Sequence, residues 1–193
     1  MRPDLFRRRA HITIAAASIL TIAACKGDSV TAPGGESEVI SRVTLTLNPS
    51  GTSSFAPSAY IEDSDGSGPT APSAQVGDLT LAKAREYVGS IRFENRLVTP
   101  VENITSEVLA EANEHRVFYT VVGDGVTVTT TDTDSNGRPL GVAFTLGVGA
   151  NATSGSRTLR VVLCHYADVA KPAVATSCTV DTDIDVNFTL SIP

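Results

Sequence analysis

The sequence has no tryptophan, one methionine and three cysteines in 193 residues, and aromatic side chains make up 5% of it. Charged residues, at 19%, are too few for a disordered polyelectrolyte or a long coiled coil. No apolar run reaches the roughly 18 residues that a spanning helix needs. Signatures of common chemistry are missing as well: there is no G-x-S-x-G elbow, no H-E-x-x-H, no P-loop and no G-x-G-x-x-G. These absences point away from an enzyme. What is present is 41% hydrophobic residues, enough for the core of one ordinary domain with appendages.

The first 25 residues divide into a cationic start (Arg2, Arg7, Arg8, Arg9), an apolar stretch over 12–24 and a site of small residues ending in Cys25. This is the layout of a secretory signal peptide. The string Ile22-Ala23-Ala24-Cys25 resembles a bacterial lipobox, which predicts a signal peptide over 1–24 and a diacylated Cys25 as the new N-terminus. Two or three acyl chains hold a domain on a membrane, whereas one anchors only marginally. Lys26, rather than Asp, follows the cysteine, and by resemblance to enterobacterial sorting this argues against retention in the inner membrane. Removing 1–24 takes away four Arg and one Asp, so 15 basic and 21 acidic groups become 11 and 20, a net charge of −9. Such a surface repels phosphate backbones, and nucleic acid is excluded as a partner.

With Cys25 lipidated, Cys164 and Cys178 remain as an even pair, 14 residues apart, in an oxidising compartment. One reading is a disulfide closing a local loop, worth about 3 kcal/mol in loop entropy. The other is a thiolate metal site built from Cys164, His165 and Cys178, for which C-x-x-C spacing is lacking.

Residues 25–38 have almost no apolar content and read as a lipidated cysteine and flexible tether. From 39 to 193 the period is two. Val43, Leu45 and Leu47 alternate with polar residues, as do Val142, Phe144, Leu146 and Val148, and then Ile184, Val186, Phe188, Leu190 and Ile192. Further strands are expected around 54–61, 76–82, 87–95, 115–122, 126–131 and 157–166, separated by Gly, Asn, Asp and Ser clusters. Eight or nine strands at this spacing predict an all-β fold, an antiparallel sandwich of Ig-like or Greek-key type. At most one short helix is expected near 100–112, where Thr99-Pro100-Val101-Glu102 has capping-box form.

Two acidic loops share the form D-x-D-x-[SN]-G. Asp63, Asp65 and Ser67 in one, and Asp132, Asp134 and Asn136 in the other, place oxygens at alternate positions before a turning glycine, as a calcium loop does. The EF-hand's acidic twelfth residue is absent, and plain hairpin turns use the same residues. After the leader only two histidines remain, His115 and His165, each on the apolar side of its strand and at a strand end. With Glu111, Glu114 and Asp183 as carboxylate donors they form a His/His/carboxylate set of the kind zinc takes. Two histidines hydrogen-bonded at a core edge are the alternative. Asp181, Asp183 and Asp185 fall on the polar side of the last strand's alternation.

Residues 60–72 (YIEDSDGSGPTAP), 87–95 (YVGSIRFEN), 114–119 (EHRVFY), 139–146 (PLGVAFTL), 159–165 (LRVVLCH) and 181–192 (DTDIDVNFTLSI) together resemble a family of small Bacteroidetes-type lipoproteins. Its members carry the label "type 1 periplasmic binding fold superfamily protein". The resemblance implies an envelope lipoprotein, in places regarded as an accessory to a TonB-dependent outer-membrane receptor. It also implies that His115, His165 and Asp183 are recurrent positions, together with Asp63, Asp65, Asp132, Asp134 and Gly137, while Cys164 and Cys178 depart from the pattern. The label's two α/β lobes need amphipathic helices over parallel strands, which this chain lacks, so the expected fold stays the sandwich.

The reading from sequence is therefore a non-enzymatic binding or accessory module, lipid-anchored in the bacterial envelope, most consistent with the outer membrane. A metal ion (Ca2+ or Zn2+) or small ligand is its candidate cargo, with an outer-membrane receptor as candidate partner. A structural or protein-interaction sandwich without a small ligand is the alternative.

Overall fold

A computed structural model describes residues 38–51, 55–66 and 68–193. The expected leader, the lipid attachment at Cys25, the tether as far as residue 37, and Ser67 lie outside the described residues. Nine strands and one helix follow in the order β1 (Arg42–Pro49), β2 (Ser58–Glu62), β3 (Val76–Asp78), β4 (Arg85–Glu94), α1 (Ile104–Ala110), β5 (His115–Val122), β6 (Val126–Thr130), β7 (Ala143–Val148), β8 (Gly155–His165) and β9 (Asp181–Ile192). They form a six-stranded sheet, β3-β2-β1-β4-β7-β6, and a three-stranded sheet, β5-β8-β9. All ladders between strands are antiparallel. The fold is an all-β sandwich. No helix among the described residues is long and apolar enough to cross a membrane.

The alternation read from the sequence decides which side chains face inward. Leu45 and Leu47 on β1, Ile91 and Phe93 on β4, and Phe144 and Leu146 on β7 meet Val117 on β5, Leu159, Val161 and Leu163 on β8, and Phe188 and Leu190 on β9 in one continuous core. Full burial of such a side chain contributes about 1.5–3 kcal/mol. The segment 79–81 joins the sheets at one margin, where Leu81 N–H donates to Ser191 O (2.8 Å) and Ser191 N–H to Leu79 O (3.1 Å).

β8 departs from simple alternation: Val161 through Tyr166 are buried without interruption. The outer face of β8 carries a second, smaller core of Phe118, Val162, Cys164 and Tyr166, with Ala175, Cys178 and Val180 packed against it. The covering strap, 166–180, is fastened by a Cys164–Cys178 disulfide with Cα atoms 5.6 Å apart. Joining these sulfurs removes the thiolate metal site that Cys164, His165 and Cys178 offered on paper.

The helix also differs from expectation at its start. It begins at Ile104 with Asn103 as N-cap, and no side chain caps it. Glu102 does not close a capping box; it pairs through its backbone with Asn95 and accepts from Asn95 Nδ2 at 2.8 Å. The bond back to the end of β4 takes the side chain that a helix would have used.

Candidate functional site

His115 opens β5 and His165 closes β8, and the ladder makes them direct cross-strand partners. Their rings stack with centroids 4.5 Å apart and planes within 15°. Both point inward because each continues the apolar side of its strand, and both are buried.

Asp183 joins them through a β-bulge. In the β8–β9 ladder Leu163 pairs with Ile184 and Cys164 with Thr182, so the register passes over Asp183. An extra residue at a bulge is re-aimed relative to its neighbours. The alternation assigned Asp183 to the polar side; the bulge corrects this, turning its side chain fully out of solvent. Its Oδ2 lies 3.7 Å from His115 Nε2 and its Oδ1 3.9 Å from His165 Nδ1.

The proton on His115 is fixed by its other nitrogen. Nδ1 lies 3.3 Å from the Glu111 carbonyl oxygen, and a carbonyl can only accept, so Nδ1 carries the hydrogen and Nε2 a bare lone pair. A backbone acceptor on one ring nitrogen with the other left bare is the usual second support of a metal-bound histidine. Burial, and next the neighbouring His165 ring, hold His115 below the ordinary imidazole value, so it is neutral at pH 7. Its Nε2 is buried and makes no hydrogen bond. Among the described residues, one set of metal-ligating side chains converges: Glu111, His115 and His165, with donor atoms within 4.8 Å of one another. Glu114, chosen from sequence with Asp183, stands at the margin, 46% exposed and 4.0 Å from His165 Nε2.

Glu38 was not legible as a site residue. Composition places it at the end of the tether, yet it lines a cavity of about 320 Å3 with Val39, Val43, Ile61, Asp183 and Val186. Burial, then a hydrogen bond to Glu107 and the charges of Glu107, Glu111 and Asp183, push its carboxyl up to about 7. Glu107, in the first turn of α1, and Glu111, its C-cap, stand four residues apart, which puts them on one face.

In both acidic loops the aspartates accept hydrogen bonds from nearby backbone N–H groups. Asp132 accepts from the N–H of Gly141 (2.6 Å) and of Ala143 (2.9 Å). Asp134 Oδ1 accepts from the N–H of Asn136 (2.8 Å) and Arg138 (2.9 Å). The Asn136 amide and the Ser135 hydroxyl both reach Asn113 Oδ1 at 2.9 Å. The position a cation would take beside Asp134 is held by the Lys171 ammonium, 2.9 Å from Oδ2 with both side chains fully buried. In the other loop Asp63 accepts from Asp65 N–H (3.2 Å) and Asp65 from Thr70 N–H (3.0 Å), the bonds of a compact turn.

The fold and the site thus define an antiparallel sandwich with a buried His/His/Asp cluster between its sheets. Compared with family models, curated proteins and solved structures, the chain finds no match.

Proposed function

We propose that the chain is a non-enzymatic, envelope-anchored binding module whose cargo is a divalent transition-metal ion, held by His115, His165 and Asp183 with Glu111 alongside. The single observation behind this reading is the convergence of the two histidines, 50 positions apart in sequence, on one aspartate, with the bare Nε2 of His115 turned toward the aspartate at 3.7 Å. A neutral imidazole lone pair and a carboxylate do not attract each other; a cation between them binds both. Two nitrogens and a carboxylate suit zinc or a neighbouring transition ion, whereas calcium takes six to eight oxygens. Anchoring by Cys25 and handover to an outer-membrane receptor belong to the same proposal and rest on the sequence.

The test is thermal unfolding of the whole chain in EDTA, followed by separate titrations with zinc and calcium. At 100 times Kd, a ligand of the native state adds about 2.7 kcal/mol. With roughly 2–4 °C per kcal/mol at this size, zinc raises Tm by about 5–10 °C with saturation, and calcium leaves it unchanged. His115→Gln removes the zinc shift. Absence of a zinc shift in the unmodified chain retires the metal reading in favour of a protein-interaction sandwich.

A further inference from the structure

His115 and Asp183 expose no side-chain surface and His165 exposes 6%, so an ion reaches the cluster only past side chains that move. Among the described residues two approaches stand out. One is the rim beside His165, where the exposed Glu114 carboxylate stands 4.0 Å from Nε2. The other is the cavity, of which Asp183 forms part of the wall.

The cavity has the chemistry of a cation antechamber. At about 320 Å3 the cavity has room for several waters, and so for an ion that arrives with part of its hydration shell. Its charged lining is mostly acidic: Glu38, Asp63, Asp183 and Asp185 against Arg42. Arg42 is already bound to Glu62 at 2.7 Å and stacked on Tyr60, and Asp185 is paired with Arg160. Glu38 stands beside Glu107, Glu111 and Asp183, and an incoming cation relieves that crowding of carboxyl groups. A cleft lined by one sign of charge concentrates the opposite ion and speeds its arrival. The buried, unbonded Nε2 of His115 lies behind the shared Asp183 wall and gives the ion somewhere to go.

Resting on the metal reading above, we infer that this cavity is the loading site for the hydrated metal ion, with Glu38 as the capturing carboxylate that passes it by way of Asp183 to the buried histidines. Glu38 is a residue of the route and not of the final coordination shell. It acts on the rate of loading and leaves the loaded state unchanged.

Cobalt(II), followed by its visible absorbance after rapid mixing with the metal-free whole chain, separates these roles. Glu38→Gln slows uptake by about tenfold, and slows removal by EDTA by a similar factor, with the final spectrum of the unmodified protein. Glu38→Asp recovers part of the rate, and Glu114→Gln leaves it unchanged. Circular dichroism checks that each variant is folded. An unchanged rate in Glu38→Gln, or slowing by Glu114→Gln instead, overturns the route while the metal site stands. A changed final spectrum in Glu38→Gln overturns it by making Glu38 a ligand of the bound ion. Failure of the unmodified chain to take up cobalt overturns the metal reading and the route together.

Discussion

An ammonium without exposed surface, such as that of Lys171, persists in a protein interior only with a counter-charge and acceptors around it. Lys171 has both: Asp134, and the carbonyl oxygens of Ala112 (2.6 Å) and His115 (2.9 Å), so it also steadies the first residue of the His pair. Burial raises the Asp134 carboxyl, but the Lys171 hydrogen bond and the N–H groups of Arg138 and Asn136 outweigh it, leaving a net lowering. Asp134→Asn leaves a buried ammonium uncompensated and costs about 3–5 kcal/mol in urea unfolding, whereas Lys171→Met/Asp134→Asn recovers much of this. Because the folded value of Asp134 lies below the unfolded 3.8, its contribution is complete above that pH and is lost as pH falls through the folded value. The double variant therefore loses stability less steeply than the unmodified protein as pH falls below 3.8. None of this was legible in the sequence. Asp132, Asp134 and Asn136 have the composition shared by turns and calcium loops, and the ammonium that decides the matter comes from 37 positions further along.

Strands were read with most success where one face meets the core and the other meets water, as in β1, β7 and most of β9. There the period of two survives tertiary contact, because the outer-face side chains stay partly or fully exposed while the inner ones are buried. It failed at the two places where something does intervene. On β8 the strap buries Val162 and Cys164 on the outer side, and on β9 the bulge turns Asp183 inward. The disulfide was one of two readings from cysteine spacing, and the strap it fastens gives it a measurable role. Replacing Cys164 and Cys178 together by alanine forfeits about 3 kcal/mol of loop entropy. Amide hydrogen exchange should then quicken first over 166–180, with the six-stranded sheet keeping its protection. Equal loss of protection everywhere would mean that the strap is part of the global folding unit.

The two sheets share one core, and the chain passes between them repeatedly: β4 to β5, β5 to β6, and β7 to β8. Neither sheet can open alone without exposing Leu45, Phe144, Leu159 and Phe188. Far- and near-ultraviolet dichroism should consequently report one coincident transition. Leu159→Ala, at a position with no exposure, should lower stability by about 2–5 kcal/mol without separating the two signals. The β5–β8 ladder has a further consequence for recognising relatives. His115 and His165 meet through the β5–β8 ladder while the chain between them crosses to the other sheet as β6 and β7, so the ladder itself does not fix the number of residues between them. Insertions or deletions in the exposed turns that flank β6 and β7 would leave the rings facing each other. A pattern written as two histidines at a fixed interval would miss true kin. A pattern written as a strand-initial histidine, a strand-final histidine and a bulged aspartate on the next strand would find them across large differences in length.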